Sequence, residues 1–571
     1  MKLIKRIFFI SSNRIKFSLF IYLLLSLINA FVEILTLLLI FPLLDFLING
    51  NGIYLDKLIN FFRTYSSVNK NLFFFKILTI IIIAKVILNF YFTYFTQKFL
   101  RNLRIILTKN LIKKYLSENY LFFIRNNSAL LIRNINEEVA RVITGVISMV
   151  LNLFSEILIV VFIFSLFAIY NFNVAFSVLS FLLILSFIYI FISKNYIQTL
   201  ATVRDKYDGL FYKNLKEIFE NIKIIKIHKK EEFFIEKFSQ TNTASSNAQF
   251  RYNLIALSPR IFFELFLIVI IVCFLLFFSN KDKNLIYIIA LYVAGAVRLI
   301  PAISKILNSL YNIRFNLVSF NNLYPDLKLY EEKILEKNIS VTDSKIIFSK
   351  TIRFANVKFY HDKDRGYILD NFNVEIEKNK FIGVIGKTGS GKSTFIDLIS
   401  GLIFPKSGEV IIDSDIFLNG SNVEEWKKKI GYLPQEITLL DDTIAVNIAF
   451  GLDQDYIDFD KLKKSIKDSN LTDLIESLPL KENTIVGEKG LKISGGERQR
   501  IGLARVLYHP SEILLLDEFT SSLDYSTELN ILEIISKIPN KTKILITHRE
   551  ENLKFCDKVF EIKNKQIQLK W

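Results

Sequence analysis

Six apolar stretches of bilayer length, a glycine-rich loop directly after an apolar strand, and a second apolar strand ending in paired carboxylates together set the expected architecture. They predict an α-helical six-span transmembrane domain followed by a cytoplasmic α/β P-loop nucleotide-binding domain. The boundaries fall at 1–325 for the six-helix domain with long cytoplasmic loops, 326–348 for a linker and 349–571 for the second domain. Hydrophobic residues make up 51% of the 571 residues and concentrate ahead of residue 310, in runs too long for soluble core helices. Beyond that point charged and apolar residues alternate as in a soluble α/β domain.

The apolar stretches are 17–45, 71–97, 142–168, 173–193, 254–279 and 285–308. A hydrocarbon core of about 30 Å needs about 20 helical residues, so each can span it. Lys2, Lys5, Arg6, Arg14 and Lys16 ahead of the first run give the start a superficial likeness to a signal peptide. The run is too long for one, and no small-residue cleavage site follows, so it is expected to be a retained first span. The segments between spans two and three and between four and five are rich in Lys and Arg, whereas 169–173 carries no charge and 280–284 is very short. Positive-inside asymmetry therefore predicts that both termini and both long loops face the cytoplasm. Helical periodicity continues through those loops, so spans two to five are expected to extend well beyond the bilayer.

The net charge of +17 is not a nucleic-acid footprint, because the basic residues flank apolar spans and no RNA- or DNA-binding motif is present. Anionic membrane lipid is the expected partner, and nucleic acid is not. Cys273 and Cys556 have no metal-ligand neighbours and form no disulfide framework.

After the strand Phe381–Ile385 comes Gly386-Lys387-Thr388-Gly389-Ser390-Gly391-Lys392-Ser393, with Thr394 one residue further along the following helix. Glycines at these positions let backbone N–H groups wrap phosphates at a helix N-terminus. Lys392 is expected to reach the β- and γ-phosphates of ATP, and Ser393 to ligate Mg²⁺. The strand Ile513–Leu516 delivers Asp517 and Glu518, the first suited to the nucleotide-bound Mg²⁺ and the second to polarising the attacking water. A solvated acidic pair at a strand end is the bland alternative, and the P-loop upstream argues against it.

Further motifs carry a family resemblance. Ile493-Ser494-Gly495-Gly496-Glu497-Arg498-Gln499-Arg500 resembles the ABC transporter signature, with Ile for the usual Leu and Glu497 for the usual Gln. Gly431-Tyr432-Leu433-Pro434-Gln435 is similar to the Q-loop, Ser522-Leu523-Asp524 to the D-loop and Thr547-His548 to the switch. Thr484–Gly490 is similar to the X-loop of exporters. The resemblance implies that Ser494 and Gly496 bind the γ-phosphate of ATP held by an opposite subunit. It also implies that Gly495, Glu497 and Asp524 border the nucleotide, that Gln435 senses Mg²⁺ and the attacking water, and that His548 holds the γ-phosphate and Glu518 in line. The adenine-stacking aromatic falls on His361 by spacing from Phe359, with Tyr360 as the neighbouring alternative. One chain has one P-loop and one signature, so a dimer is implied, and a homodimer would hold two working sites.

Cations also lie within the apolar spans: Lys85, Arg260, Arg298 and Lys305, against Glu33, Glu156 and Glu264. Charge in hydrocarbon costs about 2.5–3.5 kcal/mol even on lenient scales, so such groups face a cavity, snorkel or pair. Four cations against three acids leave a positive surplus suited to a pyrophosphate. The stretches Ser258-Pro259-Arg260-Ile261 with Glu264, Arg298-Leu299-Ile300-Pro301 with Lys305, and Phe31-Val32-Glu33 resemble bacterial flippases for lipid-linked oligosaccharides. There, basic cavity residues are thought to meet the pyrophosphate of a polyprenyl-linked glycan. Lys85 and Lys305 stand where that family's pattern has Arg, which keeps charge but loses bidentate geometry. Leu55, Leu58, Ile59 and Phe62 form an apolar stripe in the first external loop, 50–66, readable as an interfacial helix or an ordinary amphipathic loop. An exporter of other lipids or hydrophobic drugs is the nearest alternative. A non-hydrolysing gated channel or regulatory subunit is a third, disfavoured by the intact hydrolytic residues. A peptide exporter is also disfavoured, because no peptidase precedes the first span.

Overall fold

A computed structural model describes residues 13–49, 70–278, 283–337 and 346–571, apart from 414, 488–489, 491–492 and 520–524. The external loop 50–66 and Asp524 therefore lie outside the described residues. The chain forms two compact units, one of Met1–Glu118 with Phe122–Ser340, the other of Asn119–Leu121 with Val341–Trp571.

The first unit is helical. Its elements are α1 (Asn13–Asn49), α2 (Lys70–Leu116), α3 (Ser128–Arg133), α4 (Ser148–Glu220), α5 (Ile222–His228), α6 (Glu231–Phe278) and α7 (Lys283–Lys337). Among the described residues, Ile15–Thr36, Thr79–Leu116, Ser128–Ile169 and Ala175–Glu220 are helical stretches long and apolar enough to cross a bilayer. The fifth and sixth expected spans fall on α6 and α7. Helix α7 continues to Lys337, beyond the expected boundary at 325, and Pro325 lies inside it. Proline there forfeits one hydrogen bond, but Phe320, Leu323 and Leu327 are buried on either side and hold the helix by packing.

Helical backbone also runs through 169–173, where the sequence predicts a loop. A straight helix of this length would separate residues 141 and 208 by about 100 Å. Instead Arg141 Nη2 lies 2.8 Å from Asp208 Oδ2, Tyr212 donates to Glu137 at 2.6 Å, and Arg133 donates to the Asp205 carbonyl at 3.1 Å. The first two pairs run antiparallel, so the chain reverses between residues 141 and 208. No glycine or proline lies in 169–173.

The contacts form an ionic network among four helical segments. Two π-helical turns, Asn134–Glu138 and Val142–Ile147, flank Arg141. Arg141 also meets Glu137 at 2.5 Å and the fully buried Glu138 at 3.1 Å. Asp208 accepts from Ser245 of α6. Arg204 donates to Asn316 of α7 at 3.1 Å and lies over the Phe315 ring at 4.1 Å. Asn316 fits against Gly145 so closely that a Cβ there would meet its side chain at 2.2 Å.

The second unit pairs an antiparallel sheet with a mostly parallel one. Strands β1 (Thr351–Phe359) and β2 (Leu369–Glu377) precede β3 (Phe381–Gly386) and α8 (Lys392–Ile399). Then come β4 (Ser407–Ile412), β5 (Ile416–Phe417), β6 (Ile430–Leu433), α9 (Gly495–Tyr508), β7 (Ile513–Asp517), β8 (Thr542–Ile546), β9 (Lys558–Lys563) and β10 (Gln566–Leu569). The sheets are ordered β2-β1-β4-β5 and β10-β9-β3-β8-β7-β6. Every residue of β7 is buried, with Ile513 and Leu515 in one core cluster and Leu514 and Leu516 in another. That two-faced burial explains why β7 reads as a continuous apolar run. It also carries Asp517 to the strand's C-terminal end, where β3 ends in the glycine-rich loop.

Candidate active site

The loop after β3 needs glycine at both ends for different reasons. A Cβ on Gly386 would lie 2.7 Å from the Ile562 carbonyl oxygen and 2.6 Å from Ser390 Oγ, which close packing forbids. Gly391, the N-cap of α8, has φ +105, a conformation side chains resist. The buried Lys392 Nζ donates to the Gly386 and Lys387 carbonyls at 3.0 and 3.3 Å. Ser390 Oγ is buried with no hydrogen-bond partner among the described residues. Lys387, Thr388, Gly389 and Ser393 are exposed, and Thr394 is buried. An orphaned hydroxyl, a lysine folded over the loop and a free helix N-terminus fit a phosphate chain.

Glu518 has φ 45, a sparsely populated conformation for a side chain this large. Its N–H donates to the Ile546 carbonyl at 3.1 Å, which pins the turn beside β8. One carboxylate oxygen accepts from Gln435 Nε2 at 3.0 Å. The other lies 2.8 Å from His548 Nε2 and 3.7 Å from Lys392 Nζ. With Nε2 protonated, His548 donates to this oxygen. Behind His548, the fully buried Glu528 accepts from Arg549 and Asn552, fixing the segment after β8. The structure thus brings Lys392, Gln435, Glu518 and His548 together. Asp517 is mostly buried, and burial first, then the charge of Glu518, raises its carboxyl above the ordinary range. A divalent cation beside Asp517 would relieve both terms, so the donor set Ser393, Gln435 and Asp517 fits Mg²⁺.

Two neighbours escaped sequence reasoning. Tyr432 on β6 points its hydroxyl at Asp517 Oδ2, 3.5 Å away. Asp397 on α8 is pushed up to about 6 by burial, with the charge of Asp517 adding to it. Both lie at ordinary apolar-alternating positions of a strand and a helix, so only the pairing of β6 with β7 reveals the cluster. A carboxyl raised in the folded state binds its proton more tightly folded than unfolded. It therefore favours folding below its ordinary value near 4 and costs stability as pH rises through about 6. Asp397→Asn, without nucleotide or Mg²⁺, should thus stabilise the protein at pH 7.5 and not at about pH 3, below the ordinary carboxyl value. The gain, discounted for partial exposure, is about 1 kcal/mol, read by thermal unfolding at the two pH values.

The two candidates for adenine separate by side. His361 packs edge-on against the buried Phe359, which shares a core cluster with Phe395 of the P-loop helix. Tyr360 is engaged elsewhere, with Tyr367 at 5.6 Å and Lys406 over its ring. The signature residues Ser494, Gly495, Gly496 and Glu497 open α9, where Ser494 and Glu497 form a reciprocal capping box. Among the described residues, Ser494 hydrogen-bonds to Glu497 and Arg498 rather than to Lys392 or Glu518.

In the helical unit, Lys85 lies 3.1 Å from the buried Glu33 and donates to Thr36 at 3.0 Å, tying α2 to α1. Arg260 meets Glu264 and Lys305 meets Glu156, each at 2.8 Å. Arg260 and Lys305 nonetheless keep 67% and 62% of their side-chain surface open, against 25% for Lys85. Lys85, Arg260 and Lys305 therefore each have a carboxylate partner, and the side chain of Arg298 lies outside the described residues.

The same order of parts recurs in known proteins. Residues 19–294 match the ABC transporter transmembrane region and residues 369–521 match the ABC transporter family model. The chain belongs to the ABC transporters. It superposes on a bacterial Atm1-family ABC exporter with ATP bound, with a TM-score of 0.78 over 96% of this chain and 95% of that one. At 19% identity, that likeness speaks for the fold. An ATP-dependent lipid A-core flippase of Ralstonia nicotianae is 31% identical over 218 residues, 38% of this chain and 37% of that protein. A leukotoxin translocation ATP-binding protein of Mannheimia glucosida is 38% identical over 219 residues, 38% of this chain and 30% of that one. The chain thus spans about a third of the length of these curated relatives.

Proposed function

We propose that two copies of this half-transporter clasp ATP between the P-loop of one and the signature of the other, and that hydrolysis drives export. The observation that carries the reading is the convergence of Lys392, Gln435 and His548 on the Glu518 carboxylate. Glu518 accepts the proton of the attacking water, and its strained backbone and three donors hold it in position. Lys392 leaves the loop carbonyls for the β- and γ-phosphates, and His548 lines up the γ-phosphate with Glu518. Ser393, Asp517 and Gln435 would hold Mg²⁺, which would supply positive charge against the transferring phosphoryl group. The ring of His361 supports adenine. Ser494 and Gly496 of the second copy complete the site, since a single copy presents its signature with no phosphate partner. This convergence also disfavours a non-hydrolysing channel or regulatory role.

The substrate we infer is a lipid-linked oligosaccharide, a polyprenyl-pyrophosphate glycan flipped out of the cytoplasmic leaflet. The half-transporter then sits in a bacterial inner membrane, crosses it six times and keeps both termini in the cytoplasm. Arg260 and Lys305 support this reading, because their open surfaces allow a pyrophosphate to replace or bridge their carboxylate partners, with Arg298 as a third cation of the expected set. Lys85 is too enclosed for that part and serves to join two helices. In liposomes carrying a defined lipid-linked glycan, Arg298→Ala and Lys305→Ala should each lower glycan flipping and glycan-stimulated ATP turnover by about tenfold or more, the loss of one charge-assisted contact. Unchanged flipping in both, with ATP hydrolysis continuing, would point instead to an exporter of other lipids or hydrophobic drugs.

A further inference from the structure

Glu497, one of the two residues that depart from the family's signature, is held in a definite place. Glu497 Oε2 accepts from the Ser494 N–H at 2.7 Å, and Ser494 Oγ accepts from the Glu497 N–H at 3.3 Å. Ser494 has extended backbone, φ −64 and ψ 161, as an N-cap requires, and the helix it starts is fourteen residues long. Two consequences pull in opposite directions. A serine hydroxyl that accepts from a backbone N–H still has its own proton to donate, so the box leaves Ser494 ready to bind an anion. The same box fixes a carboxylate at the positive end of α9, where an incoming phosphate competes for the same field.

We propose that Glu497 is a charge gate on ATP-driven closure: it pre-orients the Ser494 hydroxyl and at the same time opposes the γ-phosphate delivered by the second copy. Closing around ATP is therefore weaker, and more dependent on ionic strength, than with a neutral residue at 497. This rests on the two-copy ATP sandwich described above.

Glutamine separates the two effects, because its side-chain oxygen can keep the capping hydrogen bond while the charge is lost. Wild type, Glu497→Gln and Glu497→Ala are compared as full-length protein in liposomes, by MgATP saturation curves in low and high salt and by thermal unfolding. Glu497→Gln should lower KM for MgATP by about three- to tenfold in low salt with little change in unfolding temperature, the effect expected of one nearby charge. In about 1 M salt, where screening reaches only about 3 Å, the difference should collapse. Glu497→Ala should unfold at lower temperature, because the cap is lost. Equal KM values for wild type and Glu497→Gln in low salt, or a difference that salt leaves untouched, overturns the gate. Ser494→Ala is the control on the sandwich itself. If that variant hydrolyses ATP like wild type, the two-copy reading fails; if its turnover collapses while wild type and Glu497→Gln share one KM, only the gate fails.

Discussion

Glu518→Gln should lower ATP turnover by about a hundredfold to ten-thousandfold and leave nucleotide bound in a closed dimer. The magnitude is that of a positioned general base, removed without disturbing the binding of phosphate. The geometry explains why an amide cannot substitute. Gln435, His548 and Lys392 all present donors to the two oxygens of Glu518. An amide offers one oxygen and turns an NH₂ toward at least one of those donors, so the residue loses both its basicity and part of its alignment. Single-turnover hydrolysis and retention of labelled ATP on the purified variant check this. Turnover within a few-fold of wild type would remove Glu518 from the catalytic role.

Arg141→Ala should destabilise the helical unit by about 3–5 kcal/mol, the cost of leaving buried charge without its counter-ion. Arg141 is shared by Glu137, Glu138 and Asp208, and Glu138 is fully buried. Arg133 reaches Glu138 only at 3.7 Å and Arg204 reaches Asp208 only at 3.9 Å, so neither can replace it. Replacing the whole network with apolar residues could be neutral, whereas removing Arg141 leaves Glu138 and Asp208 with only the longer ion pairs to Arg133 and Arg204. Thermal unfolding in detergent and limited proteolysis of the 128–220 region read the effect. Wild-type behaviour in both would mean that the network contributes no stability.

Much of the ATP site was legible because its chemistry is written along short, contiguous stretches. A strand, a glycine loop and a helix place Lys392 within a dozen residues of Phe381, and β7 delivers Asp517 and Glu518 together. What the sequence concealed depends on partners far apart in the chain. Arg141 finds Asp208 only because the chain reverses between them, and no glycine or proline in 169–173 announces a turn. The pairs Lys85–Glu33 and Lys305–Glu156 likewise cross between helices, so counting charges suggested a positive surface where each of these cations has its own acid. Glu497 is an intermediate case. Its identity was visible as a departure from the signature, but its hold on the Ser494 N–H required the backbone at the start of α9.

The account stands on the need for two chains to complete one nucleotide site. Turnover per chain in lipid nanodiscs holding one copy, compared with discs holding two, tests that need most directly. Hydrolysis confined to the two-copy discs is the predicted result. Equal turnover per chain in single-copy discs would contradict the account, because Lys392 and Glu518 would then act on ATP without a second copy's Ser494.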